Sequence, residues 1–260
     1  MKQSVKSTIL PIAAWLIIWQ LVAVIIHNKI LLAGPIETIS ALVSLSQTPS
    51  FWQSVSESTG RILTGFFAGT VLGILAAYLA YKKSAVGHFL KPLVITLKSV
   101  PVASFVILLL IWFGSRGISV PIVAMVVFPI LYLNTLEGLK STDTKLLEMA
   151  GVFRMPMTRQ LRYIFFPQLL PFLKGAVKLA IGMSFKSGIA AEVIGQPMNT
   201  IGNGIYQAKI YLETGELFAW TIVVVLISFI CEKLCMLLLD LLGGKFRPSR
   251  ISNKGKAVGA

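Results

Sequence analysis

The chain has 260 residues, 55% of them hydrophobic and only 13% charged, with a mean hydropathy of +0.80 and a formal net charge of +14. A soluble domain carries about 25% charged residues, so this composition excludes a water-facing globule and points to a membrane protein. Basic excess in a membrane chain gathers on the cytoplasmic side and fixes orientation; no nucleic-acid partner is expected from it.

Crossing a ~30 Å hydrocarbon core takes roughly 20 apolar residues in a helix. Six such spans are predicted, near Ile9–Ile26, Ile62–Tyr81, Leu93–Phe113, Ile118–Asn134, Phe172–Ile194 and Leu217–Leu239. The first has the flanks of a signal peptide, with Met1 and Lys2 before it and Ala33-Gly34 after it. Its apolar core is longer than the roughly 7–15 residues of such a segment, so it is expected to be a retained helix. Between the first two spans, Pro35-Ile36-Glu37-Thr38 and an apolar-periodic stretch to Leu45 predict a short helix at the interface. The second span carries Gly65, Gly69 and Gly73 at four-residue spacing, which leaves one helix face bare for close packing.

Ionisable residues inside spans are costly, about 2.5–3.5 kcal/mol at mid-bilayer on the insertion scale, so they face a partner or an aqueous path. Lys98 precedes Pro101, which loosens the third helix. Lys186 and Glu192 lie in the fifth span, six residues apart and therefore on different faces. Lys98, Lys186 and Glu192 are the candidate pathway residues; the alternative is that the lysines snorkel or pair between helices. In the last span Cys231 and Cys235 share a helical face and are expected to pack rather than bridge or bind metal. His27 and His88 are too far apart in sequence to suggest a metal cluster.

With the N-terminus inside, seventeen Lys and Arg residues fall in inside segments and four outside. That bias predicts both termini in the cytoplasm. The longest inside segment, from Glu137 to about Pro171, repeats Leu146, Ala150, Phe153, Met157 and Leu161 at helical spacing. Pro156 interrupts the repeat and would begin a second helix, since proline suits a first turn. Two short amphipathic helices with a bend, ending at Pro167, are expected. They could rest on the membrane surface or dock a cytoplasmic partner.

Asp143-Thr144-Lys145-Leu146-Leu147-Glu148-Met149-Ala150, followed by Ile164-Phe165-Phe166-Pro167, resembles the EAA loop of binding-protein-dependent ABC importer permeases. Glu148, Ala150, Ile164 and Pro167 match that pattern in register. Met149, Arg154 and Phe166 stand where the pattern has Ala, Gly and Leu, and the family glycine occupies the bend between the two helices. Arg61, Gly65 and Phe66, then Ile111-Trp112-Phe113-Gly114, Phe128-Pro129, Asn134-Thr135 and Gly138 look like the sulfonate/nitrate/taurine branch, as does Gly188-Ile189-Ala190-Ala191-Glu192. The likeness runs in order from about residue 35 to 245.

The resemblance implies an all-α polytopic membrane protein with the type I importer permease fold. It divides the chain into an N-terminal helix (1–34), a permease core (35–245) holding the coupling loop at about 138–170, and a basic tail (246–260). It implies two permease copies forming the pathway, a cytoplasmic ATPase dimer docked on loops containing Glu148, Ala150, Arg154, Ile164 and Pro167, and an extracytoplasmic substrate-binding protein. Thr144–Gln160 would then form the coupling helices, and the solute would be a small organic anion. The sequence has no phosphate loop G-x-x-x-x-G-K-[ST], no H-E-x-x-H and no G-x-S-x-G. No catalysis and no cofactor are expected on this chain. The rival from another class is a secondary transporter or channel, which would rely on intramembrane acids; Glu192 and Glu232 fall within spans and Asp240 at an edge.

Overall fold

The computed structural model describes residues 5–28 and 30–245, with side chains described for 10–28 and 30–242. The expected basic tail at 246–260 lies outside the described residues. Among those described, all regular structure is helical: α1 (Val5–Ile26), α2 (Pro35–Ser46), α3 (Pro49–Lys82), α4 (Ser84–Ser99), α5 (Val102–Phe113), α6 (Ser119–Lys140), α7 (Thr144–Val152), α8 (Met157–Gln160), α9 (Phe166–Gly195), α10 (Ile201–Ile210) and α11 (Thr214–Lys245). Pro35 and Pro49 open α2 and α3, where a missing N–H costs nothing.

Four helices are long and apolar enough to cross a membrane: α3, α6, α11 and the continuous run Met157–Gly195. The pair α4–α5 is long and apolar enough only when its two helices are taken together, and α1 adds a shorter apolar helix. The third predicted span is not one straight helix. It bends by 104° between α4 and α5, because Val100 (ψ 131°) and Pro101 (ψ 134°) are both extended. Proline lacks the N–H the helix needs and pushes the residue before it out of the helical region.

α3 and α6 are parallel and form the most extensive helix–helix contact among the described residues. Cβ atoms built on Gly65, Gly69 and Gly73 would lie 2.6 Å from the Val120 carbonyl oxygen, 2.8 Å from that of Ala124 and 2.9 Å from that of Phe128. The three glycines thus place one backbone directly on another. α9 runs antiparallel to both: Leu169 and Phe172 near its start meet Gly138 at the end of α6, whereas Glu192 near its end meets Ser58 and Ser119 near the starts of α3 and α6. The main core lies among α3, α6, α9, α10 and α11, around Ile62, Phe66, Val123, Val127, Ile181 and Phe185. Outside it, Phe67, Leu75, Ile107, Phe229 and Leu237 remain exposed, as side chains solvated by lipid would be.

The second loop helix does not end at Pro167. α8 passes through one wide turn, Leu161–Phe165, into α9, giving one helical run of 39 residues, about 58 Å long at 1.5 Å per residue. Pro167 sits in the first turn of α9, just beyond the wide turn, whose i→i+5 bonding redistributes the hydrogen bonds that proline cannot make.

Candidate functional site

The loop between α6 and α9 is built by local capping. Asp143 caps α7, its Oδ1 accepting from the Lys145 N–H at 2.9 Å. At the other end Met155 N–H donates to the Ala150 carbonyl at 2.8 Å and Arg154 N–H to that of Gly151 at 3.0 Å. This pair of bonds closes a helix through a left-handed residue, and Arg154 adopts that conformation (φ 48°). The bend therefore sits at Arg154, where the family pattern has glycine. Pro156, extended, caps α8 directly after it.

Ala150 is fully buried beneath α7, and Ile164 and Phe165 are buried in the wide turn, Phe165 against Tyr81 of α3 at 6.0 Å between ring centroids. Pro167 is half-buried. The outer surface of α7 is different. Val152 is 80% exposed and Phe153 74%, with Met149 beside them. Glu148 is exposed on the same short helix and makes no ion pair among the described residues. An apolar patch with one free carboxylate is thus held out from a buried anchor.

At the opposite end of the molecule Glu192 is completely buried. Its Oε2 accepts from Ser58 Oγ at 2.6 Å and from the Gly202 N–H at 3.2 Å, and its Oε1 from Ser119 Oγ at 3.0 Å. Ser58 Oγ in turn accepts from the Ile201 N–H at 2.9 Å. One carboxylate thereby ties α3, α6, α9 and the start of α10 together. Gly202 is needed for the approach: a Cβ there would meet Glu192 backbone and side chain at 2.7 Å or less. Glu192, one of the candidate pathway residues, is enclosed within this chain and accepts three hydrogen bonds.

The two candidate lysines are both exposed, in different places. Lys186 lies on the outer side of α9, away from Glu192. Lys98 lines a cavity of about 540 Å³ between the ends of α3 and α6 and the length of α4, with Lys91, Lys140 and His88 around it and Val94, Leu133 and Leu136 beneath. The structure does not bring Lys98, Lys186 and Glu192 together. The two other acids named from the sequence have partners: Asp240 pairs with Lys174, and Glu232 with Lys178 at 3.7 Å. The unpaired acids that an ion-coupled transporter would need are not found at these positions.

Residues 69–248 match the family described as the inner membrane component of binding-protein-dependent transport systems. The chain belongs to that family. Among curated relatives, the protein of Bacillus subtilis (strain 168) named as an aliphatic sulfonates transport permease, SsuC, is 25% identical over 235 residues, covering 90% of this chain and 84% of that protein. The taurine transport system permease protein TauC of Escherichia coli (strain K12) is 23% identical over 239 residues, covering 89% and 86%. A crystal structure of an amino acid ABC transporter superposes with a TM-score of 0.57 at 20% identity, covering 78% of this chain and 97% of that one, and shows the shared fold. This permease is a transport subunit and not an enzyme, and it is a multi-pass inner-membrane protein.

Sequence reasoning missed two features of the permease. α10 falls between the fifth and sixth predicted spans, where Gly202 and Gly204 mark close approaches to Glu192 and Trp220. Ser58 and Ser119 were not singled out; each lies on the side of its helix that also carries buried apolar residues (Ile62 and Ile122), which is the one local signal that could have found them.

Proposed function

We propose that this permease forms half of an ATP-driven importer, with a second copy completing the translocation path and both termini in the cytoplasm. In this reading an ATPase dimer seats α7 and α8 of each copy, and a binding protein delivers a small organic anion to the other face. The observation that carries it is the surface of α7. Val152 and Phe153 are exposed beyond what a free aqueous loop favours, and Glu148 beside them is free to pair with a basic group across an interface. A short helix on a buried anchor suits the transmission of a rigid-body movement. Sulfonate and taurine in the names of the relatives support the solute class.

The test is Glu148→Lys in the assembled transporter. Charge reversal is expected to release the ATPase or to separate ATP hydrolysis from uptake, read as ATPase rate and solute accumulation in the same proteoliposomes. Normal uptake by the variant would sink the docking role. Mass measurement of the purified complex checks the pairing: a single permease species present twice is expected, and a second, different permease would refute it.

A further inference from the structure

On the face opposite the α7–α8 loop lies a second cavity, of about 650 Å³, that neither the coupling role nor the Glu192 junction explains. It is lined by Glu57 and Arg61 of α3, Ser115 and Arg116 of the α5–α6 connection and the segment Gln196–Asn199. Arg61 is 19% exposed, and its Nη2 donates to Glu57 Oε2 at 3.0 Å. Its Nη1 is buried with no partner. Glu192 lies in the same region, but its carboxylate is already occupied by Ser58, Ser119 and Gly202. An unmet guanidinium donor in a buried place is costly, and Arg61 lines the cavity from which an acceptor would approach it.

The wall opposite is held, not loose. Gln196 (φ 49°) and Asn199 (φ 56°) both take left-handed backbone conformations, which cost a non-glycine residue energy and recur at ligand sites. Gln196 N–H is fixed to the Glu192 carbonyl at 2.7 Å, and Thr200 Oγ donates to the Pro197 carbonyl at 2.8 Å. The cavity thus sets two guanidinium groups against one carboxylate, with amide and hydroxyl groups from Gln196, Asn199 and Ser115 around them. Its size suits a small organic molecule.

We propose that this cavity binds a small organic oxyanion, a sulfonate or a carboxylate, with Arg61 as its fixed ligand and Arg116 as a second cation closing over it. The planar guanidinium offers parallel N–H donors that match two oxygens of either group. Glu57 orients Arg61 through Nη2 and leaves Nη1 without a partner. Calling this the receiving site for the transported solute rests on the proposed function; the anion site itself does not.

The test uses the purified full chain in nanodiscs and two probes, ethanesulfonate and butyrate, titrated by ligand-observed NMR, with choline as a cationic control. Both anions are expected to bind the unmodified chain and choline is not. Arg61→Gln and Arg116→Gln should each weaken anion binding about tenfold or more, the worth of one charge-assisted bond. Lys209→Gln, which removes a cation from the same face outside the cavity, should change nothing. Arg116 is exposed, so its variant is expected to fold even where Arg61→Gln does not. Failure of both anions to bind, or unchanged binding in Arg116→Gln, overturns the site. Either result leaves the permease role standing if uptake still depends on Glu148; normal uptake by Glu148→Lys would instead sink that role without touching the binding result.

Discussion

The α3–α6 contact yields a paired experiment whose two arms have opposite signs. In Gly69→Ala the new Cβ would stand 2.8 Å from the Ala124 carbonyl oxygen, 2.9 Å from Val127 Cβ and 3.1 Å from Ala124 Cα. Two of the three neighbours are backbone, so no rotamer change relieves the crowding and the helices must separate. Overpacking of this kind costs about 1–3 kcal/mol, here at the middle of three successive glycine contacts. Gly60→Ala, in the same helix and nine residues earlier, meets nothing within 4 Å. There the substitution only exchanges glycine for a better helix former, a gain of about 0.5–1 kcal/mol. The two variants should therefore lie about 1.5–4 kcal/mol apart. Denaturation midpoints of the purified chain, titrated with SDS in mixed micelles and followed by tryptophan fluorescence, read the difference. Equal midpoints, or a loss at Gly60 as large as that at Gly69, would refute the claim that bare backbone contact holds α3 to α6.

Further expectations concern the two ends of the molecule. Glu192→Ala strips the acceptor from Ser58 Oγ, Ser119 Oγ and the Gly202 N–H and should cost at least about 2 kcal/mol; hydrogen exchange should rise first in α10, and a protein as stable as the parent would show that the junction holds nothing. Arg154→Gly removes the penalty of a left-handed side-chain-bearing residue (φ 48°), about 1 kcal/mol. Exchange at the Met155 amide, bonded to Ala150, should slow about fivefold, and no change there would mean the bend carries no strain.

How much of this was legible in the sequence follows from what each feature depends on. The apolar stretches of α3, α6, α9 and α11 are dictated by the solvent, which demands a long run with its backbone satisfied internally, so their apolar middles are visible in the sequence, whereas the first turns of α3, from Pro49 to Arg61, lie outside the predicted span. The loop is legible in outline, because the helical repeat and the break at Pro156 mark two short helices; Asp143 as the cap and Arg154 as the bend are seen only in the structure. The bend at Pro101 is not legible: the apolar run continues straight across it, and hydropathy cannot distinguish a loosened helix from two extended residues. Pro167 misleads in the other direction, since termination was the simple expectation and the wide turn before it keeps the helix running. Glu192 shows the deepest gap. A lone acid in an apolar span suggests an aqueous path, yet its partners lie 134 residues away at Ser58 and 73 away at Ser119. No local pattern records such a junction; only the packing of four helices does.

The junction and the loop are also the two ends of one rod, and this has mechanical consequences for the proposed import cycle. The run Met157–Gly195 carries Ile164 and Phe165 at the loop end, buried beside Tyr81 of α3, and Glu192 at the other. Between them Lys174 and Lys178 tie it to Asp240 and Glu232 of α11. A displacement delivered to α7 has few places to be absorbed. The Glu192 end is held by four hydrogen-bonded groups from three other elements, so it cannot yield without leaving buried polar groups unpaired. The wide turn at Leu161–Phe165 is the softer place, because its hydrogen-bond ladder is already irregular. Small movements of the loop can therefore be taken up as flexing at that turn, whereas larger ones must carry α9 as a body. Because α3, α6 and α10 are clamped to its far end, they would move with it, and so would the segment Gln196–Asn199 that begins one residue beyond α9. In the proposed cycle, a stiff span with one soft turn next to α7 would convert a push on one face into a rearrangement on the other, and the buried carboxylate would set where that rearrangement ends.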